Sequence, residues 1–115
     1  VNDEKKDPDV YLQDILSSMA KIKDFTQGMD ARAFSANALV QDAVIRNIEI
    51  IGEAASKLPA DFRKTHKEME WGDVVGMRNK LIHAYSDVDS AIVWDVVAHD
   101  LPRLEEKIRK IMKRA

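Results

Sequence analysis

Ala36-Asn37-Ala38-Leu39-Val40-Gln41-Asp42-Ala43-Val44-Ile45-Arg46-Asn47-Ile48-Glu49-Ile50-Ile51-Gly52-Glu53-Ala54-Ala55 sets the period of the chain. Val40, Val44, Ile48, Ile51 and Ala55 recur at three and four residues, which places them on one stripe of an α-helix, and Ile45 and Leu58 widen that stripe. The helix is predicted from about Ala36 and ends before Pro59. Arg46, Asn47, Glu49 and Glu53 interrupt the apolar pattern. Arg46, Glu49 and Glu53 are three and four apart, along a face that is ordinarily solvated. Gly52 costs roughly 0.5–1 kcal/mol relative to alanine inside a helix, so it implies a close approach by another helix.

Upstream, Asp7-Pro8 suits a helix start, with Asp7 as cap and Pro8 at the first helical position. Leu12, Ile15, Met19 and Ile22 then carry the same three-and-four spacing to about Phe25. Thr26 to Asp30 stops this helix, with Gly28 where a left-handed cap would sit. Ala31 to Asn37 reads as a connector with room for a short helical turn.

Downstream, Asp61 to Glu70 is a charged connector with a helical turn predicted around Asp61-Phe62-Arg63-Lys64. Trp71-Gly72-Asp73 reads as an anchor followed by a cap. A third helix is expected from near Asp73 to about Tyr85, with Val74, Val75, Met77, Leu81 and Ile82 as its apolar side. Ser86-Asp87-Val88-Asp89 offers a further capped start. The last helix carries Ile92, Val93, Val96, Val97, Leu101, Leu104, Ile108, Ile111 and Met112. Pro102 should kink or break it, because proline lacks the backbone donor and clashes with the preceding turn. No segment sustains a period of two, so the expected fold is all-α, an up-and-down bundle of four to five helices in one domain spanning 1–115.

Composition narrows the function classes. The chain has no cysteine, which removes thiolate metal sites, disulfides and a cysteine nucleophile. A net charge of −2 argues against coating nucleic acid by bulk electrostatics. Any nucleic-acid site must therefore be local, and the one dense basic cluster is Lys107, Arg109, Lys110, Lys113 and Arg114, for which favourable interaction with a helix C-terminus is the plainer expectation. No apolar run approaches the ~20 residues that span a bilayer. The opening Val1-Asn2-Asp3-Glu4-Lys5-Lys6-Asp7 offers no apolar region for a signal peptide, so a cytoplasmic protein without membrane attachment is expected.

Chemistry-bearing side chains concentrate in Gly76-Met77-Arg78-Asn79-Lys80-Leu81-Ile82-His83-Ala84-Tyr85. On an ideal helix Asn79 and His83 are about 40° apart, while Arg78 and His83 diverge by about 140°. Such a fan suits phosphate chemistry: a guanidinium clamps phosphate oxygens, an imidazole moves protons near neutral pH, and an amide orients either. RNA carries an internal nucleophile, its 2′-hydroxyl, so His83 and Arg78 would suffice for strand cleavage without a metal or cofactor. A hydrogen-bonded helix-end network without catalysis accounts equally for the same residues. His66 and His99 lack partners at metal-ligand spacing and read as surface or core histidines.

Arg78 to Tyr85 resembles the Arg-x4-His-x-Tyr motif of HEPN-domain proteins. Three flanking pieces are similar to the HepT-like branch found in prokaryotic toxin–antitoxin pairs. They are Arg46 to Ala54, Trp71 to Met77, and Val88-Asp89 through Ile92-Val93-Trp94 to Asp100-Leu101-Pro102. Ser86 departs from relatives that often place an aromatic after the tyrosine. The resemblance implies a helical homodimer with a shared cleft and metal-independent endoribonuclease activity, as in a type VII-like toxin–antitoxin pair. It assigns Arg78 and His83 as catalytic, Asn79 as supporting, and Tyr85 as the residue to which a nucleotidyltransferase antitoxin transfers AMP. The alternative from another class is a non-catalytic helical dimer that binds a nucleotide or a partner.

Overall fold

The computed structural model describes residues 7–67, 71, 72, 74, 76 and 89–114. Among these there is no strand; the chain is all-α. Helix α1 (Pro8–Thr26) starts as expected, with the Asp7 carboxylate accepting from the Asp9 N–H at 2.9 Å and Pro8 in the first turn. Its end is set by Gly28, which sits at φ 77°, a left-handed conformation open to glycine at little cost. Helix α2 (Ala31–Ser35) is one short turn capped by Asp30. Helix α3 (Ala38–Ser56) begins slightly later than predicted, because the side chain of Asn37 accepts from the Val40 N–H and makes Asn37 the cap. Helix α4 (Ala60–Thr65) follows Pro59.

The core lies between α1 and α3, the largest interface among the described helices. Leu12, Ile15, Met19 and Ile22 of α1 meet Val44, Ile45, Ile48, Ile51 and Ala55 of α3 in one buried cluster, with Phe34 from α2 added at its end. Gln41 ties α2 to α3 by donating from Nε2 to the carbonyls of Phe34 and Ser35 at 2.7 and 3.1 Å. At the other end of α3 the Arg63 guanidinium donates to the carbonyls of Ala55 and Ser56. A cation there satisfies terminal acceptors and complements the negative end of the helix dipole.

Residues 90–114 form one helical run in three parts. Helix α5 (Ser90–Asp95) is capped by the Asp89 carboxylate, which accepts from the Ala91 N–H at 3.0 Å. A π-helical turn occupies Val96–Asp100, and helix α6 (Leu101–Arg114) follows. The kink or break expected at Pro102 therefore takes the form of a widened turn just before it, where the Leu101 N–H reaches back to the Val96 carbonyl.

That turn has a packing consequence. On an uninterrupted α-helix Val96 and Leu101, five apart, would diverge by about 140°. One inserted residue takes back about 100°, so Val93, Val96, Leu101, Leu104, Ile108 and Ile111 all face the core. Ile92, expected on the apolar side, is 40% exposed because Val93 and Val96 define the buried direction of α5. Trp94 packs beside them on Phe34, with ring centroids 5.3 Å apart.

Candidate functional site

The run from Arg78 to Tyr85, with all four candidate residues Arg78, Asn79, His83 and Tyr85, lies outside the described residues. So do Met77, Leu81 and Ile82, the apolar positions assigned to the same helix. The structure brings none of the four into a described contact, and their expected roles stand on the sequence.

Its approach from the N-terminal side is well defined. Trp71, Gly72, Val74 and Gly76 are helical, so the helix expected from near Asp73 is already present at Trp71: the anchor itself belongs to it. Trp71 and Val74, three apart, are buried, and the Trp71 indole donates to the His66 carbonyl at 3.2 Å. Phe62 of α4 packs against both the Trp71 ring and the His66 ring. This aromatic cluster fixes the entry to the motif against the end of α3, where Arg63 closes the helix. On the far side Asp89 restarts helix at α5. The motif is thus bracketed by two well-anchored segments.

His66 is half-buried against Phe62, whereas His99 is exposed and shares a 2.9 Å contact from Nδ1 to the Asp95 carboxylate within the π-turn region. Among the described residues no group of three or more His, Asp or Glu is arranged to hold a metal ion. An apolar groove between α1 and the π turn is lined by Met19, Ile22, Val97, Leu101 and Pro102, and Lys23 and Glu105 close its rim. Glu105 takes ion pairs from Lys23 of α1 and from Arg109, and its side chain is only 14% exposed. The Lys23 hydrogen bond, opposed by burial and aided by Arg109, holds this carboxyl below the usual range.

Two features are not legible as site or scaffold. Asn47, one of the polar interruptions in α3, is buried rather than wet. Its Nδ2 donates to the Ala43 carbonyl at 2.9 Å, while its buried Oδ1 has no hydrogen-bond partner among the described residues. Arg63 lies in the predicted helical turn, and its reach to the α3 terminus has one sequence signal, a long cation just after a helix end.

Comparison with known proteins supplies the lineage. The ribonuclease HepT-like family model matches residues 15–111. A "probable ribonuclease HepT" of Thermococcus cleftensis is 42% identical over 90% of this chain and 94% of its own length. A "putative RNase" of Methanocaldococcus jannaschii is 40% identical over 95% of this chain and 94% of its own length. A third protein, from the same organism, is named "gamma-glutamylcyclotransferase and putative RNase"; it is 42% identical over 95% of this chain, which spans only 49% of that larger protein. No solved structure matches the chain. With the family model covering most of its length, the chain belongs to the ribonuclease HepT-like family.

Proposed function

We propose that the protein is a metal-independent endoribonuclease whose chemistry is carried by Arg78 and His83. The observation that carries this reading is the intact Arg78-x4-His83-x-Tyr85 run within a chain of a ribonuclease family. His83 takes the proton from the RNA 2′-hydroxyl, the 2′-oxygen attacks the adjacent phosphorus, and the bond to the 5′-oxygen breaks as that oxygen gains a proton. Arg78 stabilises the charge that builds on the phosphate oxygens, and Asn79 orients the imidazole or the phosphate.

Two copies complete the site. Arg78 and His83 diverge by about 140° if their helix is regular, so a second motif facing the first supplies what one helix holds apart. The assembly is a homodimer paired with a nucleotidyltransferase antitoxin. AMP transferred to Tyr85 adds bulk and negative charge beside Arg78 and competes with the RNA phosphate. The whole is a toxin–antitoxin module built on a single helical domain.

Cleavage of RNA in EDTA by wild type, Arg78→Ala and His83→Ala tests the first step. A loss of roughly 100-fold or more is expected in each variant, the range for removing an acid–base or charge-stabilising group. Equal cleavage by all three would overturn the assignment. After co-expression with the nucleotidyltransferase, mass spectrometry should find adenylylation in wild type and none in Tyr85→Phe; modification persisting in that variant refutes the site.

A further inference from the structure

Charge is unevenly divided along this chain. Residues 101–115 hold six of its Lys and Arg and two of its carboxylates, leaving twelve cations against eighteen carboxylates elsewhere. A weakly acidic chain therefore carries, over residues 101–115, a surplus of four positive charges. Two of the six have local explanations: Arg109 pairs with Glu105, and Lys110 lies 3.3 Å from Glu106. Interaction with the helix dipole is confined to the last turn, so it does not account for Arg103 or Lys107.

The register of those cations is regular. Arg103, Lys107 and Lys110 follow one another at four and three residues, so they lie along one edge of α6, about 6 and 4.5 Å apart along the axis. Arg103 and Lys110 are exposed and Lys107 half-exposed. Among the described residues Arg103, Lys107 and Lys113 have no carboxylate partner. Like charges at this spacing repel and destabilise a helix. Arg103 with Lys107, Lys107 with Lys110, and Lys110 with Lys113 are three such pairs in succession. Glu106, bordering the edge, offsets only one.

The edge is also rigidly held and lacks apolar anchors. Leu101, Leu104, Ile108 and Ile111 fix the opposite side of α6 in the core. A membrane-surface helix would need that apolar side free. The exposed positions Pro102, Arg103, Glu106, Arg109, Lys110 and Lys113 include no aromatic or large aliphatic side chain, the residues that anchor protein interfaces. What remains is a ladder of fixed cations with a repeat comparable to that of phosphates along a single strand.

We propose that the Arg103–Lys107–Lys110 edge of α6 is a docking track for the RNA backbone, separate from the Arg78–His83 motif. The choice of RNA rests on the ribonuclease reading; the track itself rests on charge and register. It holds the strand by its phosphates without selecting sequence.

The test uses the full chain and a fluorescein-labelled, single-stranded 2′-O-methyl RNA, which lacks the attacking hydroxyl and stays intact, with binding followed by anisotropy over a salt series. The combined Arg103→Gln, Lys107→Gln, Lys110→Gln variant is compared with Lys21→Gln, Arg32→Gln, Lys64→Gln, which removes the same charges from exposed positions elsewhere. The track predicts weaker binding and a log–log salt slope shallower by about 2 in the first variant only, at roughly 0.7 per phosphate contact. An unchanged slope in the first variant, or equal losses in both, overturns it, as does polyglutamate displacing the RNA at equal charge concentration. Cleavage of unmodified RNA is read separately. Binding with the predicted slope change but no cleavage would leave the track standing and defeat the ribonuclease reading; cleavage with an unchanged slope would do the reverse.

Discussion

Helices α3 and α6 are both amphipathic, yet they divide the molecule's work differently. In α3 the buried positions Val44, Ile45, Asn47, Ile48, Ile51, Gly52, Ala54 and Ala55 cover about half of the helix circumference. In α6 only the narrow stripe of Leu101, Leu104, Ile108 and Ile111 is buried, and apart from Pro102 and Met112 the rest is charged. A helix enclosed on half its surface by α1, α2 and α5 is a structural axis, and little on it is free to contact a ligand. One that needs only a thin stripe to stay docked leaves most of its surface for recognition. Substitutions in α3 should therefore move stability first, and those on the outer face of α6 should move binding alone.

The largest stability effect is expected at the centre of α3. Ile48 has no exposed surface, and Ile48→Ala removes buried methylene and methyl groups and leaves a cavity lined by α1 and α3 residues. A loss of about 2–5 kcal/mol is expected from chemical denaturation. A loss under 1 kcal/mol would mean that the α1–α3 interface closes around the gap and that α3 is not the axis.

Next comes the charge contact that ties α6 to α1. Removing the Glu105 carboxylate with Glu105→Gln breaks contacts to Lys23 and Arg109. Because both partners are well exposed, the cost should be only about 1 kcal/mol. The same carboxyl gives a pH signature. Its folded pKa lies below its unfolded value, so its stabilisation is complete above the unfolded pKa and fades as pH falls through the folded one. Denaturation midpoints of wild type and Glu105→Gln should converge in acid, below about pH 4; a constant gap across that range would detach Glu105 from the effect.

The sequence disclosed most of this division through period alone. Leu12, Ile15, Met19 and Ile22, like Val44, Ile48, Ile51 and Ala55, are apolar at helical spacing and lie in the core, and Asp7-Pro8 and Gly28 mark the ends of α1 by local stereochemistry. Local signals did not carry three features. Trp71 falls inside a helix because the Phe62 cluster and the His66 carbonyl hold it there, which is a tertiary effect. Ile92 turns outward because the neighbouring Val93 and Val96 set the buried direction of α5, a choice among adjacent apolar residues that packing makes. Asn47 is buried at a position where its polarity alone suggests water. Arg78, His83 and Tyr85 are singled out by identity and spacing alone, and they lie outside the described residues. How they are arranged in space depends on packing that no single-chain period encodes.

The smallest effect sharpens the comparison most, because it concerns the single polar side chain buried in α3. Asn47 uses Nδ2 on a carbonyl of its own helix and leaves Oδ1 buried and, among the described residues, unpaired, so the folded state bears a desolvation cost that water would relieve in the unfolded chain. Leucine has nearly the same shape and no polar atoms. Asn47→Leu is therefore expected to be neutral or to stabilise by about 1 kcal/mol in urea denaturation. If the variant instead loses 2 kcal/mol or more, the carboxamide has a donor, and α3 carries a functional polar contact as well as the core. If stability rises while RNA cleavage falls, the unpaired oxygen is retained for activity at the expense of the fold, a compromise that apolar packing alone would never select.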